Sequence, residues 1–323
     1  MSHAVLARLI RSGFVEGVHH GSAVGLDAAG RPVAAVGQPD RPVFVRSSAK
    51  PLQLVAMLHA GLRLDPPLLA LATSSHSGER FHLDGVRRIL AGAGLRPDDL
   101  QNTRDFPLDE EERLAWRRAG RRPSALAQNC SGKHAAMLVT CMENGWPTET
   151  YRDPEHPLQR QIAETVSALA GEPVAATGVD GCGAPLHAIS LYGLARAFAR
   201  IATARPGTAE HKVASAVRTH PEWVGGTGRD VTAVIRGVPG LIAKDGAEGV
   251  SAAAMPDGRA AALKIADGGQ RARPVVMAAL LQRLGVQAGV LDELGSAPVF
   301  GRGEVVGRLE PVEFDAVVPA ARA

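Results

Sequence analysis

A chain of 323 residues, 45% hydrophobic and 21% charged, has the composition of a globular protein with a sizeable core, not that of a disordered or fibrous one. Thirty-six Lys and Arg against 33 Asp and Glu leave a formal charge of +3, and only 4% of residues are aromatic, which argues against a nucleic-acid platform. Arg8, Arg11 and Glu16 break up the N-terminal stretch, no run of about 18 apolar residues occurs, and the three cysteines are an odd number; these features predict a cytoplasmic chain with reduced thiols and no signal peptide.

The elements begin as strands at 21–27 and 32–37, separated by the hairpin signal Ala28-Ala29-Gly30-Arg31, with a further strand at 43–45. From Ser48 the period changes: Leu52, Val55, Ala56, Leu58 and His59 fall on one helical face, so Ser47 stands where a strand hands over to a helix. Helices are predicted at 79–93, 108–119, 133–144, 157–170, 186–203 and 209–219, separated by Gly, Pro and Asp. Arg117-Arg118 and Arg121-Arg122 form the densest basic run, read as a solvated helix face. Strands return at 240–243, 250–255 and 260–266, the last two joined by the turn Pro256-Asp257-Gly258, before a helix at 274–284 and a strand at 304–309. Strands at both termini with helices between predict an α+β fold, one antiparallel sheet built from the two ends. The predicted organisation is a single catalytic domain, 1–323, with a sheet lobe (1–64 and 225–323) and a helical lobe (65–224).

Several clusters concentrate reactive side chains. Ser47-Ser48-Ala49-Lys50 puts an amine three residues after a hydroxyl, on one helix face; taken alone it reads equally as a capping serine with a surface lysine. Thr73-Ser74-Ser75-His76-Ser77-Gly78-Glu79 fits either a helix cap, with Ser75 or Ser77 as the capping residue, or a polar pocket wall. Asn129-Cys130-Ser131-Gly132-Lys133-His134 opens a helix with a thiol, an amine and an imidazole. Cys130 there could be a metal ligand, a nucleophile served by His134, or part of a cap. Cys182 lies in Val179-Asp180-Gly181-Cys182-Gly183, a polar turn, whereas Cys141 sits between apolar neighbours as a small core residue. Lys244-Asp245-Gly246 follows a strand, its lysine either a turn residue or an amine facing the cleft of Ser47. Gly225-Gly226-Thr227-Gly228-Arg229-Asp230 is glycine-rich but is neither a phosphate loop nor a dinucleotide fingerprint; it suits close approach to a small ligand, with Arg229 for a carboxylate.

Taken in order, these segments resemble the asparaginase II family of the Rhizobium etli type. The carriers are Arg46-Ser47-Ser48-Ala49-Lys50-Pro51, Ser75-His76-Ser77-Gly78-Glu79, Asn129-Cys130-Ser131-Gly132-Lys133-His134, Asp180-Gly181-Cys182-Gly183, His220-Pro221-Glu222 with Gly226-Thr227-Gly228-Arg229, and Lys244-Asp245-Gly246. The resemblance implies a fold like the serine β-lactamases and penicillin-binding proteins, and hydrolysis of L-asparagine to L-aspartate and ammonia through an acyl-enzyme. It implies two Ser-Lys pairs, Ser47 with Lys50 and Ser75 with Lys244, and a zinc site of Cys130, Lys133 and Cys182. Arg46, His76, Asp180, Thr227 and Arg229 would contact substrate, and the protein would be a homodimer. Alternatives are a β-lactamase-like or peptidase-like serine acyl transferase, whose substrates lie outside the cytoplasm, and an inactive zinc-stabilised binding protein, which the intact Ser47, Lys50, Ser75 and Lys244 argue against.

Overall fold

The computed structural model describes residues 3–314. Its strands are β1 (Ala4–Arg11), β2 (Phe14–Leu26), β3 (Pro32–Val36), β4 (Val43–Phe44), β5 (Ala176–Val179), β6 (Pro185–Ile189), β7 (Ile242–Gly246), β8 (Val250–Ala254), β9 (Ala260–Ile265), β10 (Ala297–Gly301) and β11 (Glu304–Pro311). Eight of them form one antiparallel sheet in the order β10-β11-β1-β2-β9-β8-β7, with β3 pairing to β2. The N- and C-terminal strands therefore interleave in one sheet, as expected of the α+β class. The β2–β9 register, Gly21 opposite Ile265 through Leu26 opposite Ala260, is where the two ends of the chain meet.

The middle of this sheet is covered on both sides. All five residues of β7 and of β8 are buried, and β8 and β9 are rich in alanine (Ala252 to Ala254, Ala260 to Ala262). Small side chains let helices pack close: Leu191–Ala202 lies on β8, β9 and β2, and Arg273–Arg283 on β9, β8 and β11. Leu194 and Phe198 point from the first of these into the core, each worth about 1.5–3 kcal/mol of burial. The helices Lys50–His59, Pro66–Ala72, Ser131–Asn144 and Pro157–Ala170 pack on one another as the second layer. A small sheet of order β4-β6-β5 links them to the strand ahead of Ser47.

Some expectations change in detail. The helix predicted at 186–203 is two elements: β6, buried at every residue, then a helix from Leu191. Ser190 separates them, its hydroxyl accepting from the Gly193 amide as a helix cap while donating to Glu172. Strand β1, the first half of β2, and the helices Pro66–Ala72 and Asp230–Gly237 had not been anticipated. Among the described residues, no helix is long and apolar enough to cross a membrane.

Candidate active site

Ser47 sits in a one-turn 3-10 segment, Arg46–Ala49, that runs directly into the helix Lys50–His59. Arg46 enters it with φ +47°, a left-handed conformation that costs free energy in a side-chain-bearing residue. Strand β7 presses against this turn: Ser48 Oγ donates to Lys244 O at 3.2 Å. A Cβ on Gly246 would lie 3.0 Å from Ser48 Oγ and 3.2 Å from Ser48 N, so a side chain there would push the Ser48 turn back by a few tenths of an ångström. The contact brings the start of the helix and Lys244 together across nearly two hundred residues of sequence.

The second serine arrives by a different route. Residues 75–77 lie as an extended bridge: Ser75 N donates to Val224 O, His76 N to Asn129 O and Ser77 N to Gly225 O, at 3.1, 3.1 and 2.8 Å. No capping bond is made by Ser75 or Ser77 to the following helix, Arg80–Ala91. Ser77 Oγ donates instead to Gly225 O, and the Glu79 carboxylate accepts from both Thr227 N (2.8 Å) and Thr227 Oγ1 (2.6 Å). This segment is thus a pocket wall clamped to the glycine-rich loop. Ser47 and Ser75 both line a cleft of about 590 Å³, shared with Asn129, Arg229, Asp245 and Gln270.

Lys50 and Lys244 are both buried. Lys50 Nζ donates to Ser75 Oγ at 3.1 Å, to Cys130 Sγ at 3.2 Å and to the carbonyl of Ser74. The Lys50 amine is thus held by Ser75, while Ser47 Oγ makes no protein hydrogen bond among the described residues. Lys244 Nζ is bonded to the Asp245 carboxylate and carbonyl and makes no bond to Ser75. Neither implied pair is hydrogen-bonded in this structure: the amine on Ser75 is that of Lys50, and Lys244 is held by Asp245. Burial pulls the Lys244 amine down, Asp245 pushes it back and the Lys50 charge depresses it again, leaving it at about 8.

Behind the serines lies the thiol cluster. Lys133 Nζ donates to Cys182 Sγ at 3.2 Å, the Cys130 and Cys182 thiols are in contact, and Asp180 Oδ2 stands 3.5 Å from Cys182 Sγ. All three cysteines are buried, including the two expected in polar turns. The two clustered thiols behave oppositely. The hydrogen bond between them pulls Cys182 down to about 5, assisted by the Lys133 charge against the cost of burial; the same bond, with burial, pushes Cys130 up to about 12. Burial opposes the Lys133 charge, but the neighbouring thiols outweigh it and hold the amine protonated. Among the described residues, no group of three or more His, Cys, Asp and Glu side chains converges as a metal site. The set Cys130, Lys133 and Cys182 is of another kind, two soft thiols and an amine converging in a buried corner, and those donors fit zinc once deprotonated.

Other candidate residues serve as struts. His76 is buried with Nε2 on Ser131 Oγ at 2.8 Å, and burial holds its imidazole well below the ordinary range. His134 pairs through Nδ1 with Tyr151 OH at 2.7 Å, likewise depressed by burial, so it does not serve Cys130 as a base. Arg46 Nε donates to Asp180 Oδ1 at 2.8 Å, and Arg46 lines the apolar groove next to the cleft with Phe44 and Leu186. Thr227 is held by Glu79 as described, and Arg229 Nη2 donates to Asp245 Oδ2 at 2.7 Å. Asp245 is the site residue that sequence reasoning passed over. Its place before Gly246 reads as a turn signal, and only the burial of all of β7 reveals it.

The L-asparaginase II family model matches residues 7–311. No curated protein matches the chain. Among solved structures, that described as Mglu matches with 15% identity and a TM-score of 0.42, covering 80% of this chain and 64% of that one. The chain therefore spans under two-thirds of the length of that relative. A putative β-lactamase from Bacteroides dorei gives 15% identity and a TM-score of 0.44 over 82% of this chain and 94% of the other. EstCE1, described as a hydrolase with promiscuous acyltransferase activity, gives 14% and 0.39 over 86% and 92%.

Proposed function

We propose that this chain, which belongs to the L-asparaginase II family, hydrolyses the side-chain amide of L-asparagine to L-aspartate and ammonia. Family membership makes it a hydrolase of the amide type; the substrate and the residue roles are the proposal. The observation that carries it is the placement of two serines in one cleft, with a buried lysine amine on one of them: Lys50 Nζ at 3.1 Å from Ser75 Oγ.

The role of nucleophile goes to Ser47. Its hydroxyl has no protein partner among the described residues, lies at the start of a helix and follows the strained Arg46. We assign Ser75, already bonded to Lys50, as the hydroxyl that passes the proton to that amine in its neutral form, the state in which Ser75 is the donor of their hydrogen bond. Attack of Ser47 Oγ on the amide carbon forms the C–O bond as the C–N bond breaks. The serine proton leaves with the nitrogen as ammonia. Water then cleaves the ester, returning the hydroxyl and releasing the carboxylate. Arg229, at the cleft wall, is suited to the substrate's α-carboxylate. Zinc, when bound by Cys130, Lys133 and Cys182, would supply a Lewis acid beside the cleft.

Ammonia release from L-asparagine tests the reading. Wild type is expected to release it, and Ser47→Ala to lose at least about 10³-fold of the rate, with Ser75→Ala retaining more than Ser47→Ala. No release by wild type sinks the substrate assignment; full activity in Ser47→Ala sinks only the nucleophile.

A further inference from the structure

We infer that Asp245 is a positioning residue of this cleft: one carboxylate oxygen fixes the Lys244 amine while the other fixes the Arg229 guanidinium. The inference takes its activity readouts from the amide-hydrolysis reading, but its geometry stands apart from it. Alternation along β7 sends neighbouring side chains to opposite faces, yet the Lys244 stem turns back so that Nζ meets both the Asp245 carboxylate and the Asp245 carbonyl, the latter at 2.7 Å. The other oxygen accepts from Arg229 Nη2 at 2.7 Å. Arg273 adds a further positive charge toward Asp245 and is itself bonded to Asp230 at 2.8 Å. Strand β7 and the start of the helix Asp230–Gly237 are thereby tied at one carboxylate, and Arg273 ties the same helix start to the helix Arg273–Arg283 through Asp230.

Among the described residues, Asp245 is the only anion that acts on Lys244. The charged groups acting on it are Asp245 on its own strand, Lys50 from the helix Lys50–His59, and Arg229 from the loop before Asp230. Two of the three are cations, so Asp245 alone holds the proton on the amine, while the others drive it off. The same carboxylate keeps Arg229 at the wall of the cleft, where an anionic substrate group would meet it.

The test follows the Nζ resonances of ¹⁵N-lysine-labelled protein through pH, with Lys244 identified by its disappearance in Lys244→Arg. In Asp245→Asn the titration is expected to fall by about 1 pH unit or more, whereas in Arg229→Gln it rises, because a neighbouring cation is gone. In ammonia release, Asp245→Asn raises KM by about tenfold, the loss expected of a mis-set charged contact at Arg229. A merely structural Asp245 would lower the melting temperature without moving the titration in either variant, and that result overturns the inference. Should Asp245→Asn fail to fold, Arg229→Gln decides: an unmoved Lys244 overturns it. If the wild type releases no ammonia but the Lys244 titration moves in both directions as stated, the substrate reading fails and the positioning role stands.

Discussion

Two buried lysines in this molecule are neutralised in different ways. Lys133 lies against the Cys182 and Cys130 thiols, Lys244 against the Asp245 carboxylate. The Cys130 thiol keeps its proton up to about 12, but the buried Asp245 carboxylate stays charged at neutral pH, being held far below its own range by the cations around it. The thiol corner holds donors that would take a soft metal ion only on losing their protons, whereas the carboxylate corner is a fixed ionic joint. The difference separates a site able to load from a site that must hold still.

The largest expected effect comes from breaking the fixed joint. Asp245→Ala strips the anion from Lys244 and Arg229 and leaves buried positive charge, at a cost of about 3–5 kcal/mol in chemical denaturation. The pH dependence follows from the sign of the shift. The folded-state value of Asp245 lies well below its ordinary 3.8, so the stabilisation is fully present above that value and is lost as pH falls below it. The gap between wild type and the variant should therefore be constant from pH 7 to about pH 4 and close at more acid pH. A gap that closes between pH 7 and 5 would show that Asp245 is not the charged partner.

Breaking the loading corner should show first in metal uptake. Cys182→Ala removes the thiol that Lys133 contacts, and zinc affinity should fall by at least about 100-fold in competition with a chromophoric chelator. Equal zinc content in wild type and variant, whether high or near zero, would rule out Cys182 as a ligand.

How much of this was legible in the sequence depends on distance along the chain. Helices 157–170 and 209–219 were readable to the residue, because apolar spacing and local caps such as Thr208, whose side chain accepts from His211 N, are near-neighbour signals. The cysteine, serine and lysine members of the site were readable as types, because polar reactive residues seldom gather without reason. Their partners were not. Lys50 finds Ser75 and Cys130 rather than Ser47 only because the 75–77 bridge and the start of helix Ser131–Asn144 meet behind it, and spacing along one helix carries no trace of that. Asp245 had the same problem: its partner Arg229 belongs to a loop, and its turn-like context disguised a fully buried strand. Strand β6 was lost to the helix after it because Leu186-His187-Ala188-Ile189, buried throughout, lacks the alternation that marks a half-exposed strand.

A smaller effect follows from the ammonium of the thiol corner in metal-free protein. Lys133→Met keeps the length and bulk of the side chain and removes its charge, after which the Cys182 thiolate can be neutralised by a proton. Denaturation of the metal-free variant should show a loss of only about 1–2 kcal/mol, well below that of Asp245→Ala. A loss as large as that of Asp245→Ala would mean that the two corners are alike after all.

The third cysteine provides the control that makes the contrast sharp. Cys141 is buried in the core on the same helix as Lys133, and burial alone pushes its thiol up to about 12. Cys182 is equally hidden from solvent yet sits at about 5, so the difference comes from what touches it, the Cys130 thiol and the Lys133 ammonium, rather than from depth. Cys141→Ala should accordingly leave zinc content and ammonia release at wild-type values while costing about 1 kcal/mol for the lost sulfur contacts. If Cys141→Ala lowered zinc content as far as Cys182→Ala, the metal would have to be placed deeper in the helical layer, and the amine beside Cys182 would lose its claim to be what prepares that thiol.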